Sequence, residues 1–384
     1  MKSLWTRIFL LGWLCIGLSL GTVVGQTVPA TQTTPAPAAV LTAVDGPYFM
    51  YEKDGLRCIR VDETGRIIDS TYAWTSENFS FTVRSQEGGH QFEVQLHPVA
   101  RPAWQYARPE KVFVMSDIHG DFDCMVSLLR AGGIMDADYG WAFGKNHLVI
   151  NGDSMDRGDD VLPIYWLMYK LDYEARAAGG QFSFLLGNHE EMILRQNSRY
   201  ANPKYLTLAQ KLDRPHHWLW RPQSVLGYWL ATRNTMMTIG SSLFVHAGLS
   251  RVLLDQGLSI PEVNEAVSRF LFNTREERGR YELGAFMFGD SGPLWYRGMV
   301  LDEERYNPIE EADLDALLAF YGAERVFVGH TIFDEVSLLH GQKVIAVNVN
   351  NQKNRANGKS RAALWLPEGI FTLTDAGELE SLCK

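Results

Sequence analysis

Five short apolar runs of the chain each end in residues of the types that bind metal ions. In chain order, runs 111–115, 147–150, 182–186, 243–245 and 326–328 are followed by Asp117 with His119, by Asp153, by Asn188, by His246 and by His330. One such junction would mean little, but five in succession are hard to explain by packing. A site for two divalent cations needs a bridging carboxylate, imidazoles and ligands held on rigid strand ends, and this series predicts such a site.

The types of these residues also indicate how two cations would be held. Asp117 and His119 lie on one loop, and Asp153, just after the neighbouring run, can bridge the two cations. The neutral ligands of the second cation are then Asn188, His246 and His330. Neutral nitrogen and oxygen ligands suit Mn, Fe or Zn better than Ca or Mg alone. Two such transition-metal ions, roughly 3.5–4 Å apart, activate a water molecule near neutral pH and hold the attacking and leaving oxygens.

The motifs around these residues differ in specificity. An Asp-x-His sequence is common by chance, and His246 or His330 alone would more often be a packed histidine than a ligand. Gly-Asp-x-x-Asp-Arg-Gly at residues 152–158 and Gly-Asn-His-Glu at residues 187–190 are specific, because glycines, charges and order must all match. Within this series, both histidines are therefore predicted to be ligands.

This order of motifs resembles the phosphoprotein phosphatase family of calcineurin-like metallophosphoesterases over about residues 111–348. The N-terminal segments and the Gly329-His330-Thr331 sequence look most like its bacterial, Shewanella-like branch, which includes a secreted cold-active tyrosine phosphatase. The resemblance implies an α/β fold, a calcineurin-like β-sandwich flanked by helices, with a small N-terminal β module. The chain departs from the eukaryotic members at Ala247, where they carry glycine, and at residues 345–349, which replace their Ser-Ala-Pro-Asn-Tyr segment. These departures put serine/threonine regulation of the eukaryotic kind in doubt.

The resemblance also implies roles for the site residues. The first metal would be held by Asp117, His119 and Asp153, and the second by Asp153, Asn188, His246 and His330. His189 would be the general acid, with Asp156 orienting its imidazole as carboxylates do for catalytic histidines. Arg157 would bind the phosphate, and Arg297 is similar to the second phosphate-binding arginine of bacterial members. An arginine fork suits this role because it binds two phosphate oxygens in one plane.

The elements that position the site follow a regular order. Residues 103–375 alternate apolar strands with helices and are predicted to form the catalytic domain. Its helices are predicted at 124–131, 161–178, 193–195 and 313–321. Within it, residues 197–233 are dense in Trp, Tyr and Arg and are predicted to form a helical cap over the site. In residues 43–102, runs of alternating apolar and polar residues are separated by turn signals. This pattern predicts a small module of three to five antiparallel strands.

The N-terminus has the features of a secretory signal. Lys2 and Arg7 precede an apolar stretch at 8–20 and then small residues, so residues 1–25 are predicted to be a signal peptide cleaved near Gln26. Residues 26–42 are rich in Thr, Pro and Ala and are predicted to be a flexible linker. We therefore expect a periplasmic or secreted protein without stable membrane insertion after cleavage.

Three cysteines remain after the predicted cleavage, and an odd number leaves at least one of them unpaired or intermolecular. They are Cys58, Cys124 and Cys383. One disulfide is compatible with an oxidising compartment. Cys124 follows the first metal motif, but no His-Cys-x5-Arg loop surrounds it, which favours a packed helical thiol over a nucleophile.

Composition and site together define the expected activity. The 384 residues carry a formal net charge of −9, which argues against a broad nucleic-acid-binding surface, so no nucleic-acid partner is expected. The expected substrate is a phosphorylated protein or peptide, or a small phosphomonoester. Aromatic residues of the predicted cap favour phosphotyrosine over phosphoserine and phosphothreonine, although core packing explains them equally well; they are Trp218, Trp220, Tyr228 and Trp229.

Two alternative functions stay open. The same ligand set could hydrolyse a nucleotide or dinucleotide polyphosphate, as the diadenosine tetraphosphatases do, or it could belong to a metal-bound scaffold that binds phosphate without turnover. Export to a compartment poor in nucleotides weighs against the first alternative. A decayed site should have lost an acid, a base or an arginine, and this sequence retains all of them.

Overall fold

The computed structural model describes residue 41 and residues 44–73, 79–86 and 88–383. The predicted signal peptide and all of the predicted linker except Leu41 lie outside these residues. The described residues form one compact unit. In the described part of the chain, we find no helix with the length and hydropathy needed to span a membrane.

The described residues form seventeen strands and eleven α-helices. The strands are β1 Asp45–Glu52, β2 Gly55–Val61, β3 Ile67–Ala73, β4 Ser80–Arg84, β5 Gln91–Gln95, β6 Gln105–Tyr106, β7 Val112–Met115, β8 His147–Ile150, β9 Gln181–Phe184, β10 Met236–Ile239, β11 Ser242–Val245, β12 Arg325–Val328, β13 Ser337–Leu339, β14 Val344–Ala346, β15 Arg361–Leu366, β16 Gly369–Thr374 and β17 Leu379–Cys383. The helices are α1 Phe122–Ala131, α2 Val161–Ala177, α3 Asn188–Leu194, α4 Pro203–Lys211, α5 Val225–Ala231, α6 Arg251–Asp255, α7 Ile260–Phe270, α8 Arg275–Gly279, α9 Glu282–Met287, α10 Glu311–Phe320 and α11 Asn351–Ala356.

Two six-stranded sheets make up the centre of the fold. One has the order β17-β16-β15-β7-β8-β9, and the other has the order β13-β14-β12-β11-β10-β6. One apolar cluster contains side chains from both sheets, among them Val112, Val149, Phe244 and Phe327. Every residue of β7, β8 and β11 is buried, as expected for strands that are covered on both faces. This arrangement confirms the predicted β-sandwich flanked by helices.

The N-terminal β module consists of two antiparallel sheets. Strands β1, β2 and β3 form one sheet, and strands β4 and β5 form the other, so the module has the largest number of strands predicted. It packs on helix α2, where the rings of Phe49 and Phe81 contact Trp166 at centroid distances of 5.9 and 4.7 Å. The Trp166 indole also donates a hydrogen bond to the Pro47 carbonyl at 3.0 Å.

Two boundaries differ from the sequence expectation by five residues or more. Helix α3 was predicted only at residues 193–195, but it begins at Asn188, because the Glu190 carboxylate accepts the N–H of Gly187 at 2.7 Å and caps the first turn. The capping residues lie before the apolar pattern that predicts the helix. That pattern alone therefore places the start of the helix too late. Strand β17 pairs with β16 as far as Cys383, so the sheet continues beyond residue 375.

The segment 197–233, predicted to be a helical cap, is helical, and two of its tryptophans pack in the core. It contains helix α4, a 3₁₀ turn at His216–Trp220 and helix α5. Trp220 and Trp229 are fully buried, and the Trp229 indole donates to Asp172 of α2 at 3.0 Å. Near the start of the segment, the Tyr200 ring lies 5.2 Å from the His189 ring. The buried tryptophans therefore do not support a substrate preference.

Candidate metal centre

Parallel pairing gathers the polar strand ends at one edge of the sandwich. Strand β8 lies parallel to both β7 and β9, and β12 lies parallel to β11 and β14. Because the carboxyl ends of parallel strands meet at the same edge of a sheet, the loops that follow these strands converge. The predicted ligands lie on these loops, and their positions follow from the topology.

Asn151 holds the two sheets together beside the site. Its amide donates to the carbonyl of Val245, the last residue of β11, at 3.0 Å. It also donates to the carbonyl of Phe327, the next-to-last residue of β12, at 3.3 Å. Its own carbonyl accepts from His246 Nδ1 at 2.8 Å and from the Ser116 hydroxyl at 2.9 Å. The sequence patterns assign no role to Asn151. The sequence feature that points to a role for Asn151 is its position at the end of a buried strand.

The site loops contain several non-glycine residues with left-handed backbone. Positive φ angles between 46° and 72° occur at Asp117, His119, Asp153, Asp156, Arg157 and His330. Such conformations cost free energy for residues with side chains, and they persist only where the surrounding structure imposes them. Their concentration in these loops indicates that the surrounding structure holds the backbone in strained conformations, which direct these side chains.

Asp153 lies at the centre of the cluster. Its Oδ2 is 3.3 Å from His246 Nε2, 3.8 Å from His119 Nε2 and 4.0 Å from His189 Nε2. It therefore belongs to two groups of residues that could hold a metal ion: His119, Asp153 and His189 form one group, and Asp153, His246 and His330 form the other. The geometry places Asp153 where a bridging carboxylate would have to be.

The remaining predicted ligands lie around Asp153. Asn188 Oδ1 is 3.0 Å from His246 Nε2, and Asp117 Oδ1 is 4.0 Å from His119 Nε2. A second oxygen of Asp117 accepts the backbone N–H of His330 at 3.0 Å, which ties the first loop to the last. All six predicted ligands are thus brought together, and their assignment as ligands stays a prediction.

The residues present fit divalent cations. The Nε2 atom of His330 is buried and has no hydrogen-bond partner among the described residues, which is unusual for a polar atom in a protein interior. Glycines leave the required room: a Cβ at Gly187 would collide with Asp153 Oδ1, and a Cβ at Gly152 would lie 2.5 Å from His246 Nδ1. An unpartnered imidazole nitrogen, carboxylates and an amide oxygen form a donor set suited to Mn, Fe or Zn.

The electrostatics of the cluster also favour a cation. Burial opposes protonation of His246, but the neighbouring carboxylates of Asp153 and Asp117 outweigh it and raise the pKa of His246 to about 9. Burial likewise opposes ionisation of Asp153, yet His246 and His189 hold the pKa of its carboxyl well below its usual range. The negative charge of the Asp153 carboxylate therefore attracts positive charge to this point.

The imidazole of His189 lies against a carboxylate. Its Nδ1 lies 2.7 Å from Asp156 Oδ2, and both side chains are buried. Burial lowers the pKa of His189, but Asp153 and Asp156 together raise it above its usual value, which favours the proton-bearing form. The Nε2 atom faces the cluster. This geometry allows His189 to be either a proton donor or a metal ligand.

The two predicted phosphate-binding arginines occupy different environments. Arg297 Nη1 donates to the Thr331 hydroxyl at 2.9 Å, which places its guanidinium beside the candidate ligand His330. Arg157 is exposed and lines a cavity of about 250 Å³ together with Asp117, His119 and His330. Among the described residues, no hydrogen bond or ion pair engages the Arg157 guanidinium. Its N–H groups are therefore available to an anionic group in the cavity.

Glu190 is a structural residue of the site to which sequence reasoning assigned no role. Its buried carboxylate accepts the N–H groups of Asp153, Ser154, Met155 and Gly187 at 2.7–3.0 Å, and the hydroxyl of Tyr165 at 2.6 Å. Five donors on one carboxylate hold the loop after β8 against the loop after β9. Glu190 thus fixes the relative positions of Asp153, Asn188 and His189.

Replacing Glu190 with glutamine is expected to lower the free energy of unfolding by about 3–5 kcal/mol, because a buried NH₂ group would face N–H donors in place of a charged acceptor. Thermal and urea unfolding of the purified protein would measure the loss. The matched control is Glu282→Gln on the surface of α9, where no loss beyond ~0.5 kcal/mol is expected. An unchanged unfolding midpoint in Glu190→Gln would contradict the role assigned to Glu190.

The three described cysteines are buried free thiols. Burial raises the pKa of Cys124 to about 12, so its thiol is protonated at neutral pH although it borders the site cavity. A thiolate nucleophile at this position is therefore disfavoured. This agrees with the expectation that Cys124 is a packed thiol.

Comparison with known proteins identifies the fold family. A family model described as calcineurin-like phosphoesterase matches residues 110–333, more than half of the chain. The chain belongs to this family. The matched region contains all ten predicted site residues. Membership makes the protein a metal-dependent phosphoester hydrolase and implies that divalent metal ions bind at this site.

Relatives of this calcineurin-like phosphoesterase include protein phosphatases. Shewanella-like protein phosphatase 2 of Arabidopsis thaliana is 27% identical over 317 residues, which cover 71% of this chain and 78% of that protein. Shewanella-like protein phosphatase 1 of Plasmodium berghei (strain Anka) is 28% identical over 223 residues, which cover 58% of this chain and 61% of that protein. These matches confirm the resemblance to the Shewanella-like branch and support a phosphatase.

Solved structures agree with the sequence relatives. The cold-active protein-tyrosine phosphatase of a psychrophilic Shewanella species superposes with a TM-score of 0.79 at 29% sequence identity, covering 89% of this chain and all of that chain. A yeast protein serine/threonine phosphatase superposes with a TM-score of 0.51 at 16% identity, which shows the shared fold alone. The N-terminal β module falls outside the family match, yet the superposition with the tyrosine phosphatase covers most of this chain.

Proposed function

We propose that the protein is an exported phosphomonoesterase with two metal ions, which acts on phosphorylated proteins or peptides and prefers phosphotyrosine. The observation that carries the two-metal part is the position of Asp153, which is shared by both candidate metal-binding groups. Asp117, His119 and Asp153 would hold one ion, and Asp153, Asn188, His246 and His330 would hold the other. When bound, two divalent ions lower the pKa of a water molecule and stabilise charge on the phosphoryl oxygens.

The protein's own residues then bind and orient the phosphate and move a proton. Arg157 and Arg297 bind phosphate oxygens through their guanidinium N–H groups and hold the ester in place. His189 donates a proton from Nε2 to the departing oxygen. Asp156, 2.7 Å from Nδ1, holds the imidazole in the orientation and protonation state that this transfer requires.

The preference for phosphotyrosine is supported by the site's rim and by the structural relative. Tyr200, 38% exposed, lies beside the His189 ring, and Ile332, 55% exposed, lines the site cavity. An aromatic leaving group can pack on such apolar surfaces, whereas a serine side chain leaves them in water. The Shewanella enzyme with a TM-score of 0.79 is described as a tyrosine phosphatase.

A panel of matched phosphopeptides tests this proposal. Peptides that differ only in carrying phosphotyrosine, phosphoserine or phosphothreonine would be compared by kcat/KM, with p-nitrophenyl phosphate and a dinucleotide polyphosphate alongside. We expect phosphotyrosine to give the highest kcat/KM and the dinucleotide to give the lowest. A higher kcat/KM for the dinucleotide would instead favour the polyphosphate hydrolase, and no turnover of any compound would favour the scaffold.

Export is the remaining part of the proposal, and it is supported by the charged start, the apolar stretch and the small residues of the first 25 positions. The mature protein is expected to begin near Gln26. N-terminal sequencing of protein taken from a fractionated native host would measure this. Recovery of protein with an intact Met1 from a soluble cytoplasmic fraction would overturn this part of the proposal.

A further inference from the structure

A second cavity, of about 390 Å³, shares a wall with the proposed site. We call it the arginine cavity; its lining includes Glu191, Arg195, Arg275, Arg278, Asp290 and Trp295. Glu191 lies two residues after His189 on helix α3, and the ring of Trp295 lies edge-on to the ring of His330 at 5.9 Å. A substrate held at the metal centre would therefore pass close to this cavity.

The arginine cavity has an excess of positive charge. Its lining contains three guanidinium groups and two carboxylates. Glu191 is buried, and each of its oxygens is already bound to an arginine, Oε1 to Arg278 at 2.8 Å and Oε2 to Arg195 at 2.8 Å. The negative charge of Glu191 is thus already offset by two guanidinium groups. This local excess is notable in a protein of formal net charge −9.

Two residues of the cavity lining carry hydrogen-bond donors that find no acceptor among the described residues. Arg275 is exposed, and among the described residues no carboxylate or carbonyl engages its guanidinium, Asp290 on the same lining included. The Nε1 atom of Trp295 is buried and finds no acceptor in the described part of the chain. Buried N–H groups are normally paired, so an acceptor that reaches Trp295 Nε1 would remove an unfavourable feature of the free protein.

Arg278 explains why the cavity keeps its shape. Its guanidinium donates to the carbonyls of Phe270 at 2.9 Å and Leu271 at 2.6 Å, and it lies 3.6 Å from the centroid of the Phe288 ring. These contacts join α3, through Glu191, to the end of α7 and the loop after α9. Arg278 is therefore a fixed part of the wall, whereas Arg275 is free to contact a ligand.

We propose that the arginine cavity binds an acidic side chain of the phosphopeptide substrate, within three positions of the phosphorylated residue. The inference rests on the proposed function. A carboxylate matches the planar fork of an arginine and accepts two N–H groups at once. An extended peptide covers about 7 Å in two residues, which is comparable with the 5.9 Å between the Trp295 ring of the cavity and the His330 ring of the site. The cavity thus selects phosphopeptides by their flanking sequence.

The test uses two sets of phosphotyrosine peptides. Each peptide of the first set is neutral except for one glutamate, placed at one of the three positions on either side of the phosphotyrosine. The second set carries glutamine in place of that glutamate. The metal-loaded wild-type protein is expected to give a kcat/KM about fivefold higher for glutamate at one or two positions, on the scale of an exposed ion pair. The effect should lie mainly in KM, because the contact is the same in the bound substrate and the transition state.

Variants at Arg275 locate the effect. Arg275→Gln should remove the preference for glutamate without changing kcat/KM for the glutamine peptides or for p-nitrophenyl phosphate, and Arg275→Lys should keep part of it. Arg275→Glu should prefer a peptide with lysine at the same position. The matched control is Arg280→Gln, at the end of the same helix, where Arg280 pairs with Glu276 at 2.7 Å; the glutamate preference should persist in it.

The outcomes separate this inference from the function on which it rests. Turnover of all phosphopeptides with equal kcat/KM for glutamate and glutamine, or a preference that survives in Arg275→Gln, would overturn the acidic subsite and leave the phosphatase intact. Turnover of p-nitrophenyl phosphate without turnover of any phosphopeptide would overturn the protein phosphatase proposal, and this inference with it.

Discussion

Asp153→Asn is expected to reduce kcat by about a thousandfold or more and to lower the metal content of the protein. Asp153 is the only residue shared by both candidate metal-binding groups of the described chain, and its Oδ2 lies 3.3 Å from His246 Nε2 and 3.8 Å from His119 Nε2. An asparagine has no charge with which to bridge two cations. The loss of several kcal/mol of charge stabilisation corresponds to this change in rate, since each ~1.4 kcal/mol changes it tenfold.

The asparagine variant should still fold. Oδ1 of Asp153 accepts the backbone N–H of His189 at 2.9 Å, and the amide oxygen of asparagine can take over this bond. The matched control is Asp159→Asn, three residues beyond Asp156 on the same loop, which should keep its metal and its turnover. An Asp153→Asn protein with wild-type metal content and more than about a tenth of the wild-type kcat would contradict the bridging role.

His189→Asn is expected to keep its metal ions and to lose ~100-fold or more in kcat on phosphoserine peptides, the usual scale of general-acid catalysis. The loss should be much smaller on p-nitrophenyl phosphate, because its phenolate leaves without needing a proton. Asp156→Asn should show the same pattern more weakly, since Asp156 only orients the imidazole at 2.7 Å. The measurement is kcat over a series of leaving groups of graded pKa, with metal content followed in parallel.

The same series decides between the two roles that the geometry of His189 allows. His189 belongs to one of the candidate metal-binding groups, together with His119 and Asp153. If it were a ligand, His189→Asn would lose metal and would lose activity equally on every leaving group. His217→Asn, on the 3₁₀ turn at His216–Trp220, is the matched control and should leave both metal content and kcat unchanged.

The strands and the cluster of ligand residues could be predicted from the sequence because local signals determine them. Short apolar runs between glycines and polar residues mark buried strands. The end of a buried strand restricts the position of the residue that directly follows it. Runs 147–150 and 326–328 became strands β8 and β12 almost to the residue, and Asp153 and His330 follow them. The parallel pairing of these strands then brings their ends together.

The supporting contacts could not be predicted, because they depend on tertiary partners. Glu190 could have been a surface residue of a helix; only the approach of the loop after β8 supplies the N–H groups that its carboxylate accepts. Asn151 likewise gains its role from carbonyls on the second sheet, far away in sequence. The burial of Trp220 and Trp229 against α2 and β9 likewise depends on packing that an aromatic-rich composition does not specify.

Metal content measured against turnover is the deciding experiment for a site built around Asp153. Purified protein that hydrolyses p-nitrophenyl phosphate would be analysed for transition metals per chain, then titrated with a chelator and reloaded with Mn, Fe or Zn. We expect two ions per chain, a fall in kcat that follows metal loss to background, and recovery on reloading. Undiminished turnover by protein from which all transition metal has been removed would contradict the two-metal site.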